Sequence, residues 1–163
     1  MSSRPRPLVL LVVAAALAGG CSDRRSAPDV AAVVEGTKIA AAQTEALLET
    51  HVRNELAKAG SGRIDGDRKQ TLTHFVLLYQ IKHALLRHLA KGMHVSVETT
   101  NGSSPEAEAG RLSQAMAERL FPDVAEEQRQ GRFLEWFDEQ LRAAEVRVDG
   151  HFGRWDSGRG VVQ

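Results

Sequence analysis

The stretch VAAVVEGTKI, residues 30–39, decides how the chain folds. Val30 to Val34 is apolar and largely β-branched, Glu35-Gly36 is a turn signal, and Thr37-Lys38-Ile39 resumes the extended pattern. The segment reads as a small hairpin or a strand and turn. A lone strand would leave its backbone donors and acceptors unpaired. Near the other end of the chain EVRVDG, residues 145–150, alternates Val146 and Val148 with Arg147 and Asp149. That is the period of a half-buried strand. Pairing Val30–Val34 with Val146–Val148 would tie the two ends of the domain together.

Helical patterns fill the space between these strands. Ala40 to Lys58 is rich in Ala, Leu and Glu, with Leu47, Leu48, Val52 and Leu56 on one face, and Gly60 ends it. After the glycine-rich GSGRIDGD, Asp67 is the expected N-cap of a long helix over Arg68 to Lys91, stopped by Gly92. Its apolar residues form more than one stripe, from Leu72 and Phe75 to Leu86 and Leu89, as expected of a central helix covered on several sides. HVSV, residues 94–97, reads as a short extended piece. Ser104-Pro105 then opens a third helix with Leu112, Ala115, Met116 and Leu120 on its apolar face. Phe121-Pro122-Asp123 interrupts it, and a last helix is expected from about Val124 to Ala144, with Phe133, Trp136, Phe137 and Leu141 as its stripe.

The amino terminus sets the expected compartment. Arg4 and Arg6 precede an apolar run from Leu8 to Leu17, and small residues follow. The run is short for a bilayer span and has the form of a secretory signal. It ends at Cys21, the one cysteine of the chain, within Leu17-Ala18-Gly19-Gly20-Cys21. This segment resembles a bacterial lipobox, with Ala18 where leucine is usual. The resemblance implies a diacylglyceryl group on Cys21 and cleavage of residues 1–20. Two acyl chains suffice for stable anchoring. The mature chain would keep 19 basic and 21 acidic side chains and no cysteine for a disulfide or thiolate metal site. The expected organisation is a signal peptide over 1–20, a tether over 21–29, a domain over 30–156 and a flexible tail over 157–163.

Chemistry-bearing patterns are sparse. The histidines at 51, 74, 83, 88, 94 and 151 lack the i, i+3 or i+4 spacing of a helical metal site, so no metal or cofactor is expected. No Gly-x-Ser-x-Gly elbow occurs, and GSGRIDG lacks the Lys-Ser/Thr of a phosphate loop. The formal net charge of zero argues against a chain-wide field for nucleic acid. Packing onto the helices is the expected role of Phe152, Arg154 and Trp155. For the aromatic stripe of the last helix, core packing is the plain reading. The functional alternative is a partly open groove in which Phe133, Trp136, Phe137 and the adaptable Met116 contact peptide.

Two of these segments carry a family resemblance. AAVVEGTKI followed by an Ala/Leu/Glu helix is similar to the start of the SurA amino-terminal chaperone domain. The closing VRVDGHFGRWDSGRGVV resembles the tail of SurA-like lipoproteins of high-GC Gram-positive bacteria, with Gly150 where proline is common. The resemblance implies a mainly α, SurA-N-like helical domain with a small β element formed by the two ends of the mature chain. It also implies a chaperone-like, non-enzymatic role in binding unfolded or extended polypeptide. The protein would sit at the extracytoplasmic face of the cell membrane. Many members carry a parvulin-type isomerase domain; here the helical domain uses every segment, and isomerase activity is not expected. A structural or adaptor lipoprotein that docks one envelope partner is the alternative. A chaperone calls for a broad apolar groove, an adaptor for one compact patch.

Overall fold

Both residues at the tip of the first hairpin, Glu35 and Gly36, have positive φ, 47° and 75°. That is the type I′ geometry whose twist matches two antiparallel strands. The computed structural model describes residues 28–59, 63–98 and 104–163; the proposed signal peptide, most of the tether and Cys21 lie outside them. Among the described residues the chain is mainly helical with a small antiparallel sheet. It runs β1 (Val30–Val34), β2 (Thr37–Ala40), α1 (Ala41–Ala59), α2 (Gly66–Gly92), α3 (Pro105–Leu120), α4 (Glu126–Ala143), β3 (Val146–Val148), β4 (Trp155–Asp156) and β5 (Val161–Val162).

The sheet has the order β2-β1-β3, so the pairing expected between the chain ends forms. Ala32, Val33 and Val34 stand opposite Val148, Arg147 and Val146. On the other side Val34, Val33 and Ala32 face Thr37, Lys38 and Ile39, and a bulge leaves Ala31 without a partner in β2. Ala31, Ala32 and Val34 are all buried. Glutamate has no intrinsic liking for the left-handed region. Two contacts hold Glu35 there: its N–H donates to the Glu145 carbonyl at 3.0 Å, and its Oε1 accepts from the Glu145 N–H at 2.8 Å.

Helix α2 is the central element. Leu72, Val76, Leu77, Ile81, Leu85 and Leu86 are buried along it. Its cap is Asp65, which accepts from the Arg68 N–H at 2.7 Å, and not Asp67, which falls in the first turn. It also runs through Gly92. The left-handed residue that ends it is His94, with φ of 53°, and Val95 N–H returns to the Ala90 carbonyl at 2.8 Å. That closure is a Schellman-type stop built without glycine, and residues 94–97 form no strand. Helix α3 opens as expected: Ser104 Oγ accepts from the Ala107 N–H at 3.3 Å with Pro105 next. Helix α4 begins two residues later than expected, with Glu126 and Glu127 at the positive end of its dipole.

The end of the chain corrects the expectation of a flexible tail over 157–163. Trp155 and Asp156 pair with Val162 and Val161, and Arg154 and Gln163 exchange backbone hydrogen bonds at 2.8 and 2.9 Å. Val162 joins Phe152 in the core, because the chain turns back at Gly160, whose φ is 64°. Gly153, with φ of 130°, lies under this second hairpin: a β-carbon there would be 2.8 Å from both Val162 Cγ1 and Gln163 O. We expect Gly153→Ala to lower unfolding stability by about 1–3 kcal/mol in urea titrations, from backbone strain. Gly150→Ala in the same loop, where a β-carbon meets nothing within 4 Å, should stay within about 0.5 kcal/mol of the parent.

Candidate functional site

Of the four candidates for peptide contact, Phe133, Trp136, Phe137 and Met116, three go into the core. Phe133, Phe137 and Leu141 repeat every fourth residue and form the inward stripe of α4. Phe133 is 2% exposed, Phe137 8%, and Met116 from α3 is fully buried. Phe133 stacks on Phe137 with ring centres 6.0 Å apart, and Trp136, partly buried, leans on Phe133 at 5.7 Å. These contacts make Phe133, Phe137 and Met116 core residues and correct the reading of them as an open peptide groove. Cys21, the lipidation candidate, lies outside the described residues.

What remains open to solvent is smaller and sits one position away. Leu134 is 54% exposed, at the mouth of a crevice of about 280 Å³ between α2, α3 and α4. Tyr79 and Leu86 of α2 and the edges of Phe133 and Phe137 line it, with Ala109 and Gly110 of α3 opposite. Leu134 follows Phe133 directly and so lies about 100° off the buried stripe. That off-stripe leucine was the available sequence signal. Phe75 is the other large apolar side chain in solvent among the described residues, at 57%; it meets His51 of α1 edge-on at 5.7 Å.

Polar contacts hold the α2–α3 wall of the crevice. The Arg87 guanidinium grips Glu108 through both carboxylate oxygens, with Nε to Oε1 at 2.9 Å. Tyr79 donates its hydroxyl to Glu106 Oε1 at 3.2 Å. The hydrogen bonds from Arg87 hold the Glu108 carboxyl below the ordinary carboxylate range. Glu106 is also lowered, first by its own backbone N–H and then by Ser104. His83 stacks face to face on Tyr79 at 6.2 Å, and its Nε2 has no partner among the described residues. Burial, then the neighbouring Arg87 charge, pushes its pKa down.

A larger cavity, about 610 Å³, lies on the far side between α1, the first half of α2 and the 150–153 loop. Leu48, Val52 and Phe152 give it apolar walls; Glu45, Lys69, His74 and His151 give it mixed charge. Among the described residues no three His, Cys, Asp or Glu side chains come together as a metal site, and no helix is long and apolar enough to cross a membrane. No family model, curated protein or solved structure matches this chain.

The α2–α3 contacts give a signed pH response. A histidine whose pKa is lowered by folding contributes stability above its unfolded value, near 6.5, and loses it as pH falls below that value. Glu108, lowered from 4.5, contributes above 4.5 and loses its share as pH drops further. Both act in the same direction. The protection factors of α3 amides, with the pH dependence of intrinsic exchange divided out, should therefore fall on acidification in two stages, the first below about pH 6.5 and the second below about pH 4.5. His83→Gln should remove the first stage and leave the second.

Proposed function

We propose that this protein is a lipid-anchored extracytoplasmic adaptor that docks a partner polypeptide on the α2–α4 crevice. The observation that carries this reading is the exposed Leu134 at the mouth of an almost wholly apolar crevice. Its volume suits one or two inserted side chains, in the manner of a small interface anchor. Among the described residues large apolar side chains cluster in the core, and the two that stand in solvent, Phe75 and Leu134, lie on different helices. A compact patch of this kind favours one dedicated partner. Chaperone-like binding of many unfolded clients, the second reading, needs a broad adaptable apolar surface. The resemblance of the chain's two ends to SurA-like lipoproteins is what keeps it in view.

Membrane attachment rests on the lipobox-like segment ending at Cys21. It gives the domain a fixed address and leaves its binding surface to meet partners within reach of the tether.

Photo-crosslinking from position 134 in cells tests the docking reading. The adaptor predicts one discrete crosslinked product, whereas a ladder of many products would favour the chaperone. Leu134→Glu in the otherwise native chain should abolish partner binding and change stability by no more than about 0.5 kcal/mol, since the side chain is largely in water. Separately, Cys21→Ala should move the protein from the membrane to the soluble fraction; unchanged membrane association would count against the lipid anchor.

A further inference from the structure

A second surface, away from the crevice, follows from the hydrogen-bond phase of the sheet. Asp149 N–H donates to the Ala31 carbonyl and Glu35 N–H to the Glu145 carbonyl, at 2.9 and 3.0 Å. Residues 31, 33 and 35 therefore turn their backbone groups towards β3. In an antiparallel ladder the intervening residues turn the other way. Val34 and Ala32 thus bond to Thr37 and Ile39, and Lys38, opposite Val33, directs its N–H and C=O outward. Among the described residues no strand lies beside β2 on that side.

Helix α2 runs along this free edge and makes a groove of about 310 Å³ with it. Thr37, Lys38 and Ile39 form one wall. The other is the face of α2 from Gln80 to Lys91, about 16 Å long at 1.5 Å per residue, the reach of roughly five extended residues. The titratable groups that line it are Lys38 from β2 and His83, Arg87, His88 and Lys91 from α2; α1 contributes the neutral Gln43. No carboxylate lines it. Arg87 is already engaged by Glu108 of α3, which leaves Lys38, His88 and Lys91 as exposed groups to meet an incoming anion.

Gln80, also in this wall, is 6% exposed. Thr44 has one hydroxyl proton and two acceptors in reach, Gln80 Oε1 at 2.7 Å and the Ala40 carbonyl at 3.2 Å. Thr44 engages Gln80 Oε1, and Gln80 Nε2 has no partner among the described residues. A buried, unpartnered amide end is costly, and it lies behind this wall of the groove.

We propose that this groove binds an acidic segment of extended polypeptide, which adds to the sheet as a strand beside β2 and sets its carboxylates against Lys38, His88 and Lys91. A lysine on a free edge discourages neutral strands from pairing there. Opposite an acidic strand the same charge becomes attractive, so the edge would select its partner by sign.

The test uses the full chain in mild detergent and short fluorescent peptides that alternate Glu with Val. The acidic peptide should bind, weaken with added salt, and lose at least about tenfold in affinity to the double variant Lys38→Glu, Lys91→Glu. Methylating those peptide amides that face β2 should cost a similar factor, because it removes the strand hydrogen bonds and leaves the charge. Leu134→Glu should bind the peptide unchanged, so a failure of the crevice reading and a failure here are separable. Equal binding of a Lys-for-Glu peptide would overturn the proposal. So would indifference to amide methylation, or adsorption to phosphatidylglycerol vesicles without binding of the peptide.

Discussion

The structure depends on β1 having a partner on each side. Of the three strands in the sheet, β1 alone has its backbone groups used in both directions. Its neighbours come from opposite ends of the domain: β2 follows by a two-residue turn, while β3 arrives after all four helices. The strained turn residue Glu35 makes the two pairings interdependent. Its left-handed backbone shapes the β1–β2 turn, and its N–H and carboxylate are spent on Glu145, at the entry to β3. An Asn-Gly turn would suit the dihedrals better, but asparagine is one methylene shorter than the side chain that makes this contact. The sequence at the turn therefore gives up local preference for a long-range tie.

Around that sheet, two kinds of contact divide the work of holding the helices. Apolar packing centres on α2, whose inward positions meet α1, β1, α3 and the closing hairpin. The outer side of the α2–α3 contact is polar, through Arg87 with Glu108 and Tyr79 with Glu106. Arg87 and Glu106 are exposed while Tyr79 and Glu108 are half-buried, and such pairs at the surface contribute modestly to stability. Their value is positional, since a bidentate guanidinium–carboxylate pair fixes register as well as distance. They hold the first turn of α3 at the rim of the crevice that α4 completes.

Much of this fold was legible in the sequence, because its signals are local and agree with one another. The alternation of Val146 and Val148, the Glu-Gly turn, the Ser-Pro helix start and the four-residue spacing of Phe133, Phe137 and Leu141 each have a single physical reading. Errors arose where two residues could do the same job. Asp65 and Asp67 both suit a helix cap, and only the backbone decides that Asp65 takes the Arg68 N–H. Gly92 offered an obvious helix stop, yet the left-handed role fell to His94. The last seven residues lack a continuous apolar pattern, and Val162 is buried only because the turn at Gly160 returns it to the core. The site was less legible than the fold. Aromatic content drew attention to Phe133 and Phe137, which the core takes. Leu134 has to be found by asking which apolar residue falls off the stripe, and the groove beside β2 depends on hydrogen-bond phase, which composition does not carry.

The order of strands in the sheet has a consequence for how the chain is made. During synthesis the β1–β2 hairpin and α1 emerge first, but the far edge of β1 stays unpaired until β3 follows, after nearly the whole domain. Closing so long a loop is entropically costly and slow compared with forming a hairpin or helix. Until then the bond from Ala31 O to Asp149 and both contacts of Glu35 with Glu145 are unmade, and the strained turn stands without support. A nascent chain interrupted between Ala143 and Val146 would carry all four helices and an unfinished sheet. Native order at the β1–β2 turn would thus report that β3 has been made and has docked.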